Sequence, residues 1–281
     1  MSVQNKLISG LSYAFGIRYL CVDVTEIAQT ARTKHQLNST RTKLCAEGII
    51  ATVLMSAQIK GEERISLHMQ LEQPSASFMC DVTAKGHVRA RFRSDDPAKE
   101  LIKGVILVIK HNASRELYRG VTEVSHNSLQ EALLNHLKNS TQIHSALRCE
   151  VNQDEAGNII RATGILFELL PKSKDFDDIS SEDFKNHISP LHNLSLEEFF
   201  DGLDDNKLLG KELHAMQELA LSWQCHCSEQ RAESLLFSLG KAELEDMRSE
   251  NKTQEVVCDF CNTSYRFSPD QIQALIDEHT S

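Results

Sequence analysis

Apolar and polar residues alternate along several segments of the first 174 residues, and this period of two predicts strands with one buried face. The clearest alternation has Ile65, Leu67, Met69 and Leu71 as its apolar positions. Comparable segments predict strands over residues 87–93, 105–110, 117–124, 143–151 and 159–169. Helical patterns occur over residues 25–35, 40–60 and 128–139. Consecutive strands with helices before and between them predict an α+β fold, in which helices pack on a mostly antiparallel sheet.

After Pro171 the strand pattern stops, and acidic residues are mixed with isolated aromatic residues such as Phe176, Phe184, Phe199 and Phe200. We interpret residues 175–222 as a linker of short helices. A helix is predicted over 207–224, because one stripe carries Leu209, Leu213, Met216, Ala220 and Trp223. Such a stripe ordinarily packs on the neighbouring domain. The alternative hypothesis is that it covers a surface and can leave it.

The last segment, residues 223–281, predicts two helices, a hairpin and a final helix. Ser228 can cap the first helix, and the hairpin strands are expected over 255–257 and 264–267. Ser268, Pro269 and Gln271 form a helix-start signal, with a capping residue, a proline at the first helical position and a capping-box partner. The predicted organisation is therefore residues 1–174, a linker over 175–222 and a C-terminal domain.

The composition indicates a globular chain. It has 281 residues, of which 41% are hydrophobic, enough for two domains with a real core. No apolar run approaches the length of a membrane span, and residues 1–10 lack the apolar stretch of a signal peptide. We therefore expect a cytoplasmic protein without a membrane partner.

Charge and cysteines divide unevenly along the chain, whose net charge is −10. Residues 1–174 carry +5, residues 175–205 carry −9 and residues 206–281 carry −6. Cys21, Cys45, Cys80 and Cys149 are scattered in apolar patterns, and we expect them to be small buried side chains. The other four form two tight pairs, Cys225 with Cys227 and Cys258 with Cys261.

Two close cysteine pairs supply the four soft ligands of a tetrahedral zinc site. The metal ligands predicted here are Cys225, Cys227, Cys258 and Cys261, with one Zn²⁺ per chain; His226 is a weaker competing candidate. Four protein ligands leave no coordination position for water, so zinc hydrolase chemistry is not expected. A segment this small gains only a few kcal/mol from its own core, whereas structural zinc contributes about 10–16 kcal/mol. Zinc loss should therefore unfold it.

Several functions remain open for such a site. Thiolates are oxidisable, so a fold held by zinc can act as a switch. A thioredoxin-like active site is disfavoured, because strand rather than helix follows Cys261. A zinc ribbon that binds nucleic acid or protein is the stronger rival, although the acidic charge here lacks the basic footprint for nucleic acid. A third alternative makes zinc a folding staple and places an enzyme in the N-terminal domain.

The cysteine spacing resembles that of the redox-regulated 33-kDa heat-shock chaperones, whose signature is CxC followed about thirty residues later by CxxC. It is matched by Trp223-Gln224-Cys225-His226-Cys227-Ser228 and by the segment from Cys258 to Phe267. The segment Tyr118-Arg119-Gly120-Val121 is also similar to that family's N-terminal domain. The chain departs from the family at Leu71-Glu72-Gln73-Pro74 and at Asn262, where glycines are usual; asparagine tolerates the left-handed conformation.

The resemblance implies an ATP-independent holdase that is not an enzyme and is inactive while zinc is bound. Peroxide together with unfolding conditions would form the disulfides Cys225–Cys227 and Cys258–Cys261 and release zinc. The linker and C-terminal domain would then unfold, and the protein would hold unfolded clients through its N-terminal domain and form a homodimer.

Two further hypotheses concern single side chains. Arg89, Arg91 and Arg93 alternate on one strand face, which is ordinarily a solvated face; the charge division suggests that they help dock the acidic linker. Trp223, the only tryptophan, is expected to be a core residue whose fluorescence reports release of the zinc domain.

Overall fold

The computed structural model describes residues 5–12, 16–73, 75–94, 103–124, 129–141, 143–171, 180–194, 198–199 and 214–279. The chain divides into two compact units, residues 1–224 and 225–281. The three-part division at residues 174 and 222 stays a prediction, because compactness does not identify a linker. Within the described ranges no helix is both long and apolar enough to cross a membrane.

The first unit contains two sheets. The bounds of their strands are β1 Lys6–Ser12, β2 Ile17–Asp23, β3 Arg64–Gln73, β4 Ala76–Thr83, β5 His87–Ser94, β6 Lys103–His111, β7 Glu116–Val124, β8 Ser145–Gln153, β9 Ile159–Leu169, β10 His214–Ala220 and β11 Ser222–Trp223. One sheet has the order β10-β1-β2-β9-β8 and the other β11-β5-β4-β3-β6-β7. The strand pairs are antiparallel except for β11, which runs parallel to β5. The predicted α+β class with mostly antiparallel sheets is confirmed.

Four helices of this unit have described bounds: α1 Thr25–His35, α2 Ser39–Ser56, α3 Leu129–Thr141 and α4 Ser181–Asn193. The helix α2 packs on strands of both sheets and is almost wholly buried after its first turns. Asn38 caps its N-terminus, since the side chain accepts a hydrogen bond from the backbone N–H of Arg41. Burial on several sides explains why residues 49–55 are nearly all apolar.

The helix predicted over residues 207–224 is wrong from His214 onward; residues 207–213 lie outside the described residues. The strand β10 pairs with β1, and Trp223 pairs with Val88 of β5. The edge of β1 offers backbone hydrogen-bonding groups, and pairing with β10 satisfies them. Met216, which the helical stripe placed on a buried face, is 64% exposed.

A second apolar cluster covers the face of the five-stranded sheet that carries Tyr19 and Phe167. Three residues of the predicted linker belong to it, Phe184 and Ile188 of α4 and Phe199, and we call them the covering residues. Phe199 is fully buried, with its ring centroid 6.2 Å from that of Tyr19 and 5.9 Å from that of Phe167. Helix α4 and Phe199 of the predicted linker therefore pack on this sheet through aromatic and aliphatic side chains.

The second unit has the predicted order of two helices, a hairpin and a helix. Its elements are α5 Glu229–Phe237, α6 Lys241–Ser249, β12 Gln254–Val257, β13 Ser264–Phe267 and α7 Pro269–Glu278. Ser228 caps α5, and Ser268 with Gln271 forms a complete capping box at α7. Among the described residues 225–279, the hydrophobic core cluster has seven buried members, Ala232, Leu236, Leu244, Phe267, Ile272, Leu275 and Ile276. So small a core makes another source of stability necessary.

Gly48 tests the close packing of α2 on the six-stranded sheet. A Cβ atom at this position would lie 2.5 Å from the Phe78 ring. Helix propensity alone predicts that Gly48→Ala stabilises by about 1 kcal/mol, but we expect it to destabilise by about 1–2 kcal/mol because of this overlap. Denaturant unfolding followed by Trp223 fluorescence measures the effect. Adding Phe78→Leu should recover part of the loss, and a Gly48→Ala variant more stable than the native chain would contradict this packing.

Candidate metal centre in the C-terminal unit

The structure brings the four cysteines of the second unit together. Their Sγ atoms all lie within 4.8 Å of one another, with 3.6 Å between Cys225 and Cys258 and 3.3 Å between Cys227 and Cys261. Four sulfurs at zinc–sulfur distances of about 2.3 Å stand about 3.8 Å apart at the corners of a tetrahedron. The spacing and the soft donors fit a closed four-thiolate metal site.

A turn in the hairpin places the sulfurs of Cys258 and Cys261. After Cys258 the chain folds back, with the Asn262 N–H donating to the Cys258 carbonyl at 2.8 Å and the Cys258 N–H donating to the Thr263 carbonyl at 2.9 Å. Asn262 closes this turn with φ +53°, the left-handed conformation that its side chain tolerates. The strands β12 and β13 fix the turn by pairing from Gln254 with Phe267 to Val257 with Ser264.

Burial and hydrogen bonds shift the pKa values of the metal-free thiols. Burial raises the pKa of Cys225 to about 12 and raises that of Cys258. Burial acts in the same direction on Cys261, but hydrogen bonds with the Thr263 hydroxyl and backbone N–H, and with Cys227 and Cys258, outweigh it, and the pKa of Cys261 is lowered to about 7. The Thr263 Oγ1 lies 3.1 Å from the Cys261 Sγ. Cys261 is therefore more readily a thiolate than Cys225 and Cys258.

His226 lies between the first two cysteines in sequence. Among the described residues, the group able to hold a metal ion consists of the four cysteines without His226. The His226 carbonyl accepts a hydrogen bond from the Arg231 guanidinium, and this bond links the segment between Cys225 and Cys227 to α5. That these four cysteines complete the ligand shell of a metal stays a prediction.

The scattered cysteines lie elsewhere, in the first unit. Cys21, Cys45 and Cys80 are buried, as expected, and Cys149 is half-buried. Burial raises the pKa of Cys45 to about 12 and that of Cys21 and Cys80 well above the ordinary value. These thiols are protonated at neutral pH, and thiols are much weaker nucleophiles than thiolates.

The three arginines lie on β5, away from its buried residues Val88, Ala90 and Phe92. Arg89 binds Asp81 through two nitrogens, at 2.9 and 2.6 Å, and Asp81 also accepts a hydrogen bond from Ser66 at 2.6 Å. The covering residues contact the other sheet, whereas Ser222 at the end of the predicted linker pairs with His87 of β5. Docking of the linker by Arg89, Arg91 and Arg93 stays a prediction.

Comparisons with known proteins agree with this arrangement. A family model described as Hsp33 protein matches residues 5–268. The chain belongs to the Hsp33 family. Curated relatives named 33 kDa chaperonin include those of Bacillus velezensis, 25% identical, and Bacillus cytotoxicus, 27% identical; each alignment covers 98% of this chain and 99% of the relative.

Solved structures support the fold of this Hsp33-family chain. The crystal structure of the 33 kDa chaperonin of Thermotoga maritima superposes with a TM-score of 0.84 over 99% of both chains, at 23% identity. The resemblance found in the cysteine spacing is therefore confirmed along nearly the whole chain.

Sequence reasoning missed two groups of residues in this Hsp33 chain. Thr263 and Tyr265 border the quartet, and a hydrogen bond with Cys227 raises the pKa of Tyr265 to about 12. Both directly follow the CxxC turn, and that position was their only signal. The covering residues were the second group; the four-residue spacing of Phe184 and Ile188 within an acidic segment could have indicated a buried helix face.

The left-handed turn at Asn262 provides a direct test of the metal site. Asn262→Val should lower the affinity for Zn²⁺ by about 5-fold to 30-fold, because a β-branched residue in this conformation costs about 1–2 kcal/mol. Asn262→Gly is the matched control and should change the affinity little, since glycine adopts the same φ freely. Competition with a chromogenic chelator measures both. Equal affinities for the Val and Gly variants would show that the turn does not position the ligands.

Proposed function

We propose that this chain is an ATP-independent holdase that oxidation of the cysteine quartet switches on. The observation that carries the proposal is the convergence of four sulfurs in a unit whose own core has only seven buried residues. Zn²⁺ is the metal proposed for Cys225, Cys227, Cys258 and Cys261, because tetrahedral four-thiolate sites favour it. When bound, it acts as a cross-link that holds the unit folded.

Oxidation removes the ligands that this cross-link requires. Two molecules of hydrogen peroxide take four electrons from the four thiolates, two disulfides form, and with four protons the peroxide oxygens leave as four water molecules. Neither disulfide can coordinate as a thiolate, so Zn²⁺ is released. We assign the disulfides to Cys225–Cys227 and Cys258–Cys261, as the family resemblance implies.

The client-binding surface follows from the covering residues. Phe184, Ile188 and Phe199 shield an apolar face of the five-stranded sheet. Burying each of these side chains stabilises the covered arrangement by about 1.5–3 kcal/mol. Helix α4 therefore stays on the sheet only while the protein around it is stable. Departure of the linker would expose Tyr19, Phe167 and their neighbours, an apolar patch of the kind that binds other proteins.

The proposed partners are unfolded or partly unfolded proteins. After oxidation the chain would form a homodimer. We propose no enzymatic activity for it. A reducing cytoplasm is the compartment in which the quartet would stay loaded with metal. Nucleic acid is a poor partner for the second unit, since residues 206–281 carry −6.

Peroxide treatment tests the switch. At elevated temperature, we expect release of one Zn²⁺ per chain and loss of four thiols, accompanied by suppression of client aggregation in light scattering. Peptide mapping should find Cys225 joined to Cys227 and Cys258 joined to Cys261. Loss of the four thiols with zinc retained, or oxidation without any gain in suppression, would reject the proposal.

Phe184→Asp tests whether the covering residues hold the surface closed. A buried charge should release α4, because Phe184 is only 3% exposed. We expect suppression of client aggregation without oxidant while zinc remains bound. Lys185→Asp is the matched control on the same helix, at an exposed position, and should leave the protein inactive. If the Phe184→Asp chain is folded and as inactive as this control, the covered face is not the client surface.

Charge reversal tests linker docking at β5. We propose Arg91→Glu combined with Arg93→Glu, and leave Arg89 unchanged because it binds Asp81. Repulsion of the acidic linker should lower the peroxide concentration needed for activation. Lys85→Glu, a reversal at an exposed residue that pairs with Glu62, is the control. An activation threshold equal to that of the native chain would rule out docking.

A further inference from the structure

The segment Tyr118-Arg119-Gly120-Val121, which carries part of the family resemblance, has no role in the switch described above. In the structure it borders a cavity of about 140 Å³ in the first unit. The cavity lies between the end of α2, the strands β3, β6 and β7, and α3. Its apolar wall consists of Met55, Ile59, Ile65, Val108 and Leu137.

The wall also contains four polar side chains, Gln58, Lys110, Tyr118 and His136. Lys110 lies 3.1 Å from the Glu63 carboxylate and donates to the Gln58 carbonyl at 3.2 Å. Its charge is therefore already compensated by a protein carboxylate. An anionic guest would have to compete with Glu63, and the cavity consequently favours a neutral one.

His136 is the buried residue among these four, and we assign its imidazole as the polar partner of a guest. It is 3% exposed and lines the cavity, and its Nδ1 lies 3.1 Å from the Thr122 hydroxyl. Its Nε2 has no hydrogen-bond partner among the residues that the structure describes. Burial lowers the pKa of this imidazole, so the ring is neutral at neutral pH. Nε2 is then a donor or an acceptor according to the tautomer.

The structure explains why the segment Tyr118-Arg119-Gly120-Val121 has a glycine at position 120. A Cβ atom at this position would lie 2.2 Å from the Tyr118 Oη and 2.6 Å from the His136 Cε1. The missing side chain lets Tyr118 lie beside His136, with ring centroids 6.2 Å apart and an interplanar angle of 73°. Glycine is therefore needed for the wall of the cavity, not for an unusual backbone angle.

From this geometry we propose a binding site for a small neutral aromatic molecule with one hydroxyl or similar group. An apolar cavity of about 150 Å³ is known to accept benzene, so a single six-membered ring fits the volume. A hydroxyl can donate or accept and thus pairs with either tautomer of His136. The site belongs to the first unit and does not depend on the proposed redox switch.

The test uses the full-length, reduced, zinc-loaded protein and phenol as the probe, with methyl groups observed by NMR. We expect saturable shifts at millimolar phenol, confined to methyl groups of the cavity wall. Benzoate, the anionic counterpart, should bind more weakly because Glu63 neutralises Lys110. Shifts that do not saturate, or that spread over the surface, would overturn the proposal, as would benzoate binding more tightly than phenol.

Two variants assign the binding to this cavity. Val108→Phe fills the space and should abolish phenol binding, whereas Val105→Phe, on the same strand but at a 37% exposed position, should not. His136→Phe keeps a ring but removes Nε2, and should weaken phenol by about 3-fold to 10-fold while benzene binds as before. Equal loss for phenol and benzene would remove His136 from the site. Because these readouts are binding constants, their outcome is independent of chaperone activity.

Discussion

The second unit depends on four sulfur atoms that meet within 4.8 Å. Its helices and hairpin are well capped and correctly paired, yet they bury only seven apolar residues together. Local signals decide where each element begins, but they contribute about 1 kcal/mol each. A metal cross-link contributes about ten times as much. A metal-loaded quartet would therefore be the main source of stability in this unit, and its thiolates would be open to oxidation.

The first unit, in contrast, has a large hydrophobic core of its own. Its main core joins residues from both sheets and from three helices, so it can remain folded by itself. Its weaker part is the second cluster, where residues far along the chain, Phe184, Ile188 and Phe199, complete a sheet face. The proposed holdase mechanism uses this combination, a stable scaffold with an apolar face that can be uncovered.

Much of the fold could be predicted from the chain, for physical reasons that differ between elements. The strand at Ile65–Leu71 has a period of two because one face is buried, and the cap at Ser268 is a purely local contact. The error at His214–Ala220 arose because its partner β1 is some two hundred residues away and edge pairing leaves little trace in local sequence. The quartet was predictable from spacing, since metal geometry restricts it. The covering residues and the cavity at His136 depend on contacts between distant segments, which no local pattern contains.

The central claim is that the quartet and the covering residues are coupled, and hydrogen exchange measured by mass spectrometry tests it most directly. The native chain and a chain oxidised by peroxide are compared at the temperature of activation. Our account predicts that zinc loss removes protection from residues 225–281 and also from α4, residues 181–193, while β3 and β6 stay protected. Loss of protection confined to residues 225–281, with α4 unchanged in an oxidised chain that holds clients, would contradict it.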